Sequence, residues 1–157
     1  MLFIIFRLGE QRYALEAAHV IEIVPRLPLR PQPGMPAFVA GLLNFRGQVV
    51  PVLDLGMLTL GAPCPVQLST RIILINHTLK SGVTRVLGLI AKAVTDAVKK
   101  EPTEFVTPGL AAALVPYLGK IALDEGGMVQ CILPGYLLPA EVERLLFEES
   151  PPDGSTK

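Results

Sequence analysis

Gly41-Leu42-Leu43-Asn44-Phe45-Arg46-Gly47-Gln48-Val49-Val50-Pro51-Val52-Leu53-Asp54-Leu55 places two apolar runs on either side of a polar tip. The pattern reads as a β-hairpin: Leu42, Leu43 and Phe45 enter it, Arg46-Gly47 eases the steric limits of the turn, and Val49 to Leu53 leave as a second strand. Asn44 and Gly47 shape the bend, Gly41 is read as a further turn position, and Asp54 is placed to cap a short helix running to Leu60. Arg46 therefore stands at an exposed bend. Its planar guanidinium, a rigid fork of donors, suits recognition of a carboxylate or of backbone carbonyls better than acid or base chemistry. Binding is expected before catalysis.

Working outward, Leu2 to Phe6 and Arg12 to Leu15 form an opening hairpin, and Ala17 to Ile21 makes one helical turn before a strand at Ile21 to Val24. Strict alternation puts Val20 and Glu22 on one side of that strand and Ile21 and Ile23 on the other, with Glu22 projecting outward. Prolines at 25, 28, 31, 33 and 36 make the next stretch an irregular surface crossing. Further strands are expected at Arg71 to Asn76 and Val86 to Ile90, joined by a loop from His77 to Thr84. Ala91 to Lys100 bends across two sheets, Pro102 to Pro116 wanders, and Tyr117 to Leu123 and Met128 to Leu133 turn about Asp124-Glu125-Gly126-Gly127. Pro139 to Glu149 is the one convincing helix, with Val142, Leu145 and Leu146 on its apolar face and Glu141, Glu143 and Arg144 on others. Many short strands and a terminal helix mean an all-β barrel or sandwich. Residues 1–149 are expected to form one domain and 150–157 a fraying tail.

The composition narrows the function. A chain of 157 residues buries a core without staples, roughly 68 to 70% of its unfolded surface at this size. Fourteen basic residues balance fourteen acidic ones, which argues against nucleic acid as the main partner. Half the residues are apolar and the mean hydropathy is +0.48, yet no run approaches the ~18 apolar residues of a membrane span. A soluble, non-exported protein with no direct membrane insertion is expected, with apolar surface available to partners.

Chemistry is sparse. His19 and His77 are tied to no nucleophile and are read as surface or turn residues. Cys64 lies in a proline-flanked loop and Cys131 in an apolar strand, with no metal spacing between them and no phosphate loop elsewhere, so no metal or cofactor is expected. Val52-Leu53-Asp54-Leu55-Gly56 resembles the apolar-apolar-Asp-Thr-Gly signature of retroviral-type aspartic proteases, but Leu55 replaces the bracing hydroxyl residue. The second carboxylate of such a dyad would come from a dimer mate or from Asp124. That reading, and a small apolar-ligand carrier, are the alternatives to a binding module.

The ordered series from Pro36-Ala37-Phe38-Val39-Ala40-Gly41 through Asn44-Phe45-Arg46-Gly47 and Val50-Pro51 to Asp54 resembles the CheW family, the coupling proteins that join chemoreceptors to the histidine kinase CheA. Val20-Ile21-Glu22-Ile23, Leu87-Gly88-Leu89-Ile90 and the terminal strand-helix unit extend the likeness from about Phe3 to Phe147. The resemblance implies two SH3-like five-stranded β-barrels around a shared apolar core with a C-terminal helix. It also implies a non-enzymatic, cytoplasmic adaptor at membrane receptor arrays. Its implied partners are the cytoplasmic tip of a methyl-accepting chemoreceptor, the regulatory domain of a CheA-type kinase, and other CheW-like proteins. Carried onto this chain, Arg46 matches the arginine linked to receptor coupling, and Val20 and Glu22 match receptor-contact positions. Val20 then supplies dry area, Arg46 charge-assisted hydrogen bonds, Glu22 a register-fixing charge, and Phe45 an aromatic contact beside Asn44. Lys80, Ser81 and Ala111 to Ala113 match no family motif, which leaves the kinase-facing surface the less defined of the two.

Overall fold

The computed structural model describes residues 1–95, 97–109 and 115–147. The tail expected at 150–157 lies outside them, as does part of the wandering segment before Pro116. Strands β1 (Leu2–Leu8) and β2 (Gln11–Glu16) pair as the opening hairpin, and a 3-10 turn at Ala17–His19 leads into β3 (Val20–Pro25). The proline-rich crossing is irregular and touches β4 (Val39–Phe45) through one bridge, Arg30 to Leu42. After β5 (Gln48–Asp54) come helix α1 (Leu55–Leu60), β6 (Arg71–Thr78) and β7 (Thr84–Ala91). The chain then crosses to β8 (Ala97–Lys99), β9 (Phe105–Val106), β10 (Leu118–Asp124), β11 (Gly127–Ile132) and helix α2 (Ala140–Phe147).

These strands make two sheets, ordered β8-β1-β2-β11-β10-β9 and β3-β6-β7-β5-β4. Five strands in each were expected; the first sheet has a sixth because the two residues of β9 pair with Ile121 and Ala122 on the edge of β10. A parallel pairing of β11 with β2 joins the two hairpins of the first sheet, and the second sheet contains a parallel pairing of β5 with β7, so each draws on segments far apart in the chain.

The side-chain period of two distributes the apolar runs into three cores. In β1, Phe3 and Ile5 point into the first barrel with Ala14 and Val129, while Ile4, Phe6 and Leu8 point the other way into the shared core. In β6, Ile72 and Leu74 fill the second barrel with Val50 and Val52, and Ile73 and Ile75 face the shared core. Strands buried on both faces read as uninterrupted hydrophobic sequence, which is why neither run showed alternation. Val142 on α2 lies in the shared core, with Leu146 and Phe147 packed against it.

Three expectations are corrected here. His77, Thr78 and Thr84 belong to paired strands, so the loop between β6 and β7 is only 79–83. His77 is 2% exposed, on the same face as Ile73 and Ile75, and its Nε2 lies 2.9 Å from Oε1 of Glu143, which the helix turns inward rather than to solvent. Gly41 lies within β4, not in a turn. There φ is +147°, and a Cβ would stand 2.5 Å from the carbonyl oxygen of Arg30, so glycine is what lets the proline-rich crossing pair with this strand.

Candidate functional site

The hairpin between β4 and β5 turns on two residues, since Phe45 pairs with Gln48. Both central residues have positive φ, +53° at Arg46 and +84° at Gly47, which is the type I′ geometry whose twist matches the flanking strands. Asn44 locks the bend, its Oδ1 accepting from the Gly47 amide at 2.9 Å. Arginine is a poor choice for the first central position, where asparagine or glycine avoids a steric cost of about 1 kcal/mol. The side chain itself is therefore what this position retains. It is 72% exposed, and its guanidinium carbon lies 4.7 Å from the centre of the Phe45 ring.

Although β3 and β4 are opposite ends of the second sheet, the sheet curls until they meet at the barrel mouth. Arg46 Nη2 donates to Glu22, 3.0 Å from Oε1 and 3.2 Å from Oε2. With side chains 72% and 36% exposed, this ion pair is worth under about 1 kcal/mol to stability. It orients the guanidinium across Phe45, whose other side packs on the barrel interior. Arg46, Glu22, Phe45 and Asn44 thus form one constellation.

Val20 does not join it as expected. A bulge between Val20 and Glu22 sets Val20 opposite Ile75 and Glu22 opposite Leu74, so strict alternation fails. Val20 packs, half-buried, against the shared core together with Ile23, while Ile21 is 42% exposed. The outward apolar residue beside Glu22 is Ile21. A bulge leaves no mark on a run of β-branched residues, so no sequence signal distinguished the two.

Asp54 caps α1, its Oδ1 accepting from the Met57 amide at 3.1 Å, and it also receives the Cys64 amide at 3.2 Å. It is committed to structure. Asp124 lies in the other sheet, hydrogen-bonded to Arg12 at 2.7 Å and Lys100 at 2.8 Å. Those two cations, Arg12 foremost, hold its carboxyl far below the usual carboxylate range. The two aspartates form no dyad, which removes the protease reading within one chain. Burial pushes the thiols of Cys64 and Cys131 up to about 12 and about 11, so neither supplies a thiolate at neutral pH. Among the described residues no three His, Cys, Asp or Glu side chains gather as metal ligands, and no helix is long and apolar enough to cross a membrane.

Sequence reasoning missed the His77–Glu143 pair. Glu143 Oε2 accepts from the Lys80 amide at 2.9 Å, and the His77 ring stacks on Phe147 at 6.0 Å, so the pair pins α2 to the end of β6. A signal was present: His77 continues the Ile73, Ile75 period, and Glu143 precedes Leu146 and Phe147 by three and four residues.

Comparison with known proteins gives the family and the fold. The model of the CheW-like domain matches residues 2–141. The chain is similar to a chemotaxis protein CheW of Rhizobium meliloti (strain 1021), with 31% identity over 132 residues, 83% of this chain and 81% of that protein. A second relative, the protein FrzA of Myxococcus xanthus, is 40% identical over 53 residues, 34% of this chain and 33% of its own. In fold the chain resembles the scaffolding protein TtCheW of Thermoanaerobacter tengcongensis, with a TM-score of 0.78 and 23% identity, covering 90% of this chain and 89% of that one. With the two-barrel fold in place, the match across almost the whole chain leaves one conclusion: this protein belongs to the CheW family, non-enzymatic scaffolds of chemotaxis.

Proposed function

We propose that this protein couples a methyl-accepting chemoreceptor to a CheA-type histidine kinase, working on the cytoplasmic side of a receptor array as one CheW-like unit over residues 1–149. The observation that carries this reading is the exposed Arg46–Glu22 pair lying over Phe45 at the barrel mouth. An arginine kept in a strained turn position, bonded through one nitrogen to an exposed carboxylate, contributes little to folding and presents donors to an incoming protein. Glu22 matches charge and register, Phe45 and the bulged Ile21 supply apolar contact, and Asn44 holds the turn at the angle the contact needs. Val20 acts from beneath by setting the bulge. The kinase regulatory domain and other CheW-like proteins occupy the remaining outer surface of the barrels.

The test is calorimetric binding of a receptor cytoplasmic fragment, followed by kinase pull-down in its presence. Arg46→Ala and Arg46→Glu are expected to keep the native circular dichroism and to weaken receptor binding by about 1 to 3 kcal/mol, the loss typical of a charge-assisted contact. Unchanged receptor binding by both variants removes the assigned interface.

A further inference from the structure

The connection from α1 to β6, residues 61–70, carries two apolar side chains that the fold does not use. Val66 is 82% exposed and Leu68 98% exposed. The segment is nevertheless tied down. The Cys64 amide donates to Asp54 at 3.2 Å, and the hydroxyl of the buried Thr70 donates to the Pro65 carbonyl at 2.6 Å. The Thr70 amide donates to the Gln67 carbonyl at 3.0 Å, and Pro63 and Pro65 fix their own φ angles. Val66 and Leu68 are thus held out on a braced loop, at little ordering cost to whatever takes them up.

This loop lies at the far end of the second barrel from the Arg46 turn. Strand β5 leaves that turn at Gln48 and ends at Asp54, which receives the loop, and its seven residues cover about 20 Å. Positive charge stands beside it. Pro25, Arg71 and Ala91 lie side by side where β3 ends, β6 begins and β7 ends, which sets Arg71 and Lys92 next to the loop. The Val94 amide, two residues past Lys92, donates to the Ser69 carbonyl at 3.4 Å. Among the described residues no hydrogen bond or ion pair engages the side chain of Arg71 or Lys92. Between Val20 and Ala91 the carboxylates are Glu22 and Asp54. Glu22 is bonded to Arg46 at the opposite end, and Asp54 is buried and accepts the Met57 and Cys64 amides, so neither opposes these two cations.

Two protruding side chains make a contact far smaller than the roughly 800 Å² that a specific protein partner covers on each side. A lipid surface has no shape to match. Apolar tips enter below its headgroups while neighbouring cations meet its phosphates. We propose that residues 61–70 dock the second barrel onto an anionic lipid surface, with Val66 and Leu68 entering among the headgroups and Arg71 and Lys92 pairing with lipid phosphates. The attachment is peripheral and reversible and needs no spanning helix. It leaves the Arg46 turn directed away from the bilayer, and it stands independently of the coupling reading.

The chain contains no tryptophan, so Leu68→Trp puts a single reporter on the loop tip. Its emission is followed as vesicles of phosphatidylcholine, with or without phosphatidylglycerol, are added to the full chain. A blue shift, and quenching by brominated acyl chains, are expected with phosphatidylglycerol vesicles alone and are reversed by salt. Leu123→Trp, at a 71% exposed position of the first barrel, is expected to show neither. In vesicle sedimentation, Leu68→Ser is expected to weaken binding about tenfold and Arg71→Ser about fivefold. Both positions are exposed, and Arg71→Ser keeps the test intact should the loop variant misfold. Arg46→Ala is expected to leave vesicle binding unchanged, which separates failure here from failure of the coupling reading. Absence of vesicle binding, equal binding to neutral and anionic vesicles, or an equal response at position 123 overturns the proposal. Leu68→Trp emission already blue-shifted without lipid overturns it too, since protein then covers the loop.

Discussion

The first barrel and the second barrel each carry a carboxylate gripped by a cation between distant segments, and the two clusters behave as opposites. Arg12, Asp124 and Lys100 join β2, the end of β8 and β10, with side chains 18%, 23% and 5% exposed. Arg46 and Glu22 join a turn to β3 with side chains 72% and 36% exposed. Removal from water makes the first cluster expensive to break, because a lone partner is left as an uncompensated charge. Exposure makes the second nearly neutral to folding and available to a partner. The same chemistry braces the fold in one barrel and, on the coupling function proposed above, is left open to a partner in the other; solvent access separates the two.

Asp124→Ala provides the largest break in that contrast. It strands the nearly buried ammonium of Lys100 and is expected to lower unfolding free energy by about 2 to 4 kcal/mol in urea titration. The same site governs acid stability. Asp124 is held below its ordinary 3.8 when folded, so its contribution is complete above that value and is lost as pH falls below it. Asp124→Asn is expected to flatten stability between about pH 4 and pH 2, read by thermal melts. A steep acid limb surviving in Asp124→Asn places the titration elsewhere.

Glu143→Ala comes next, at about 1 to 3 kcal/mol, since it leaves the Lys80 amide and the buried His77 Nε2 without their acceptor. Glu143 contributes to the acid limb with the same sign. Burial opposes its charge, but the Lys80 amide and His77 outweigh that and hold it below its ordinary value. Hydrogen exchange in α2 should quicken before the rest of the fold loosens, and uniform quickening counts against a local anchor.

The smallest effect has the opposite sign. Arg46→Asn relieves the positive-φ strain and is expected to raise stability by about 0.5 to 1 kcal/mol in the same urea titration, while receptor binding falls. Stability gained as binding is lost is the mark of a residue kept for a partner. A destabilised Arg46→Asn makes the exposed pair structural after all and erases the contrast.

Elements built from neighbouring residues were legible in advance. The Arg46-Gly47 turn, the Asp54 cap and the opening hairpin follow from chain-local sterics and hydrogen bonding. The terminal helix follows from the spacing of Val142, Leu145 and Leu146. Half of the candidate site was legible in the same way, because Asn44, Phe45 and Arg46 lie together on one bend. Val20 was read wrongly where register mattered, while its neighbour Glu22 does face outward. One extra residue in β3 reverses the outward face, and β-branched side chains look alike on either side of a bulge.

By itself, then, the amino-acid order determined the strands, the turn that lifts Arg46 into solvent, and the family to which the protein belongs. Only tertiary structure decided which charges meet. Glu22 finds Arg46 across 24 residues because the second sheet curls on itself. His77 finds Glu143 across 66 because α2 seals the shared core, and Asp124 finds Arg12 across 112 because β10 and β11 return to β2. The physical reason is that local preferences act over a few bonds, whereas the depth at which a charge comes to rest, and so whether it braces the fold or faces a partner, is set by how two barrels close around one core.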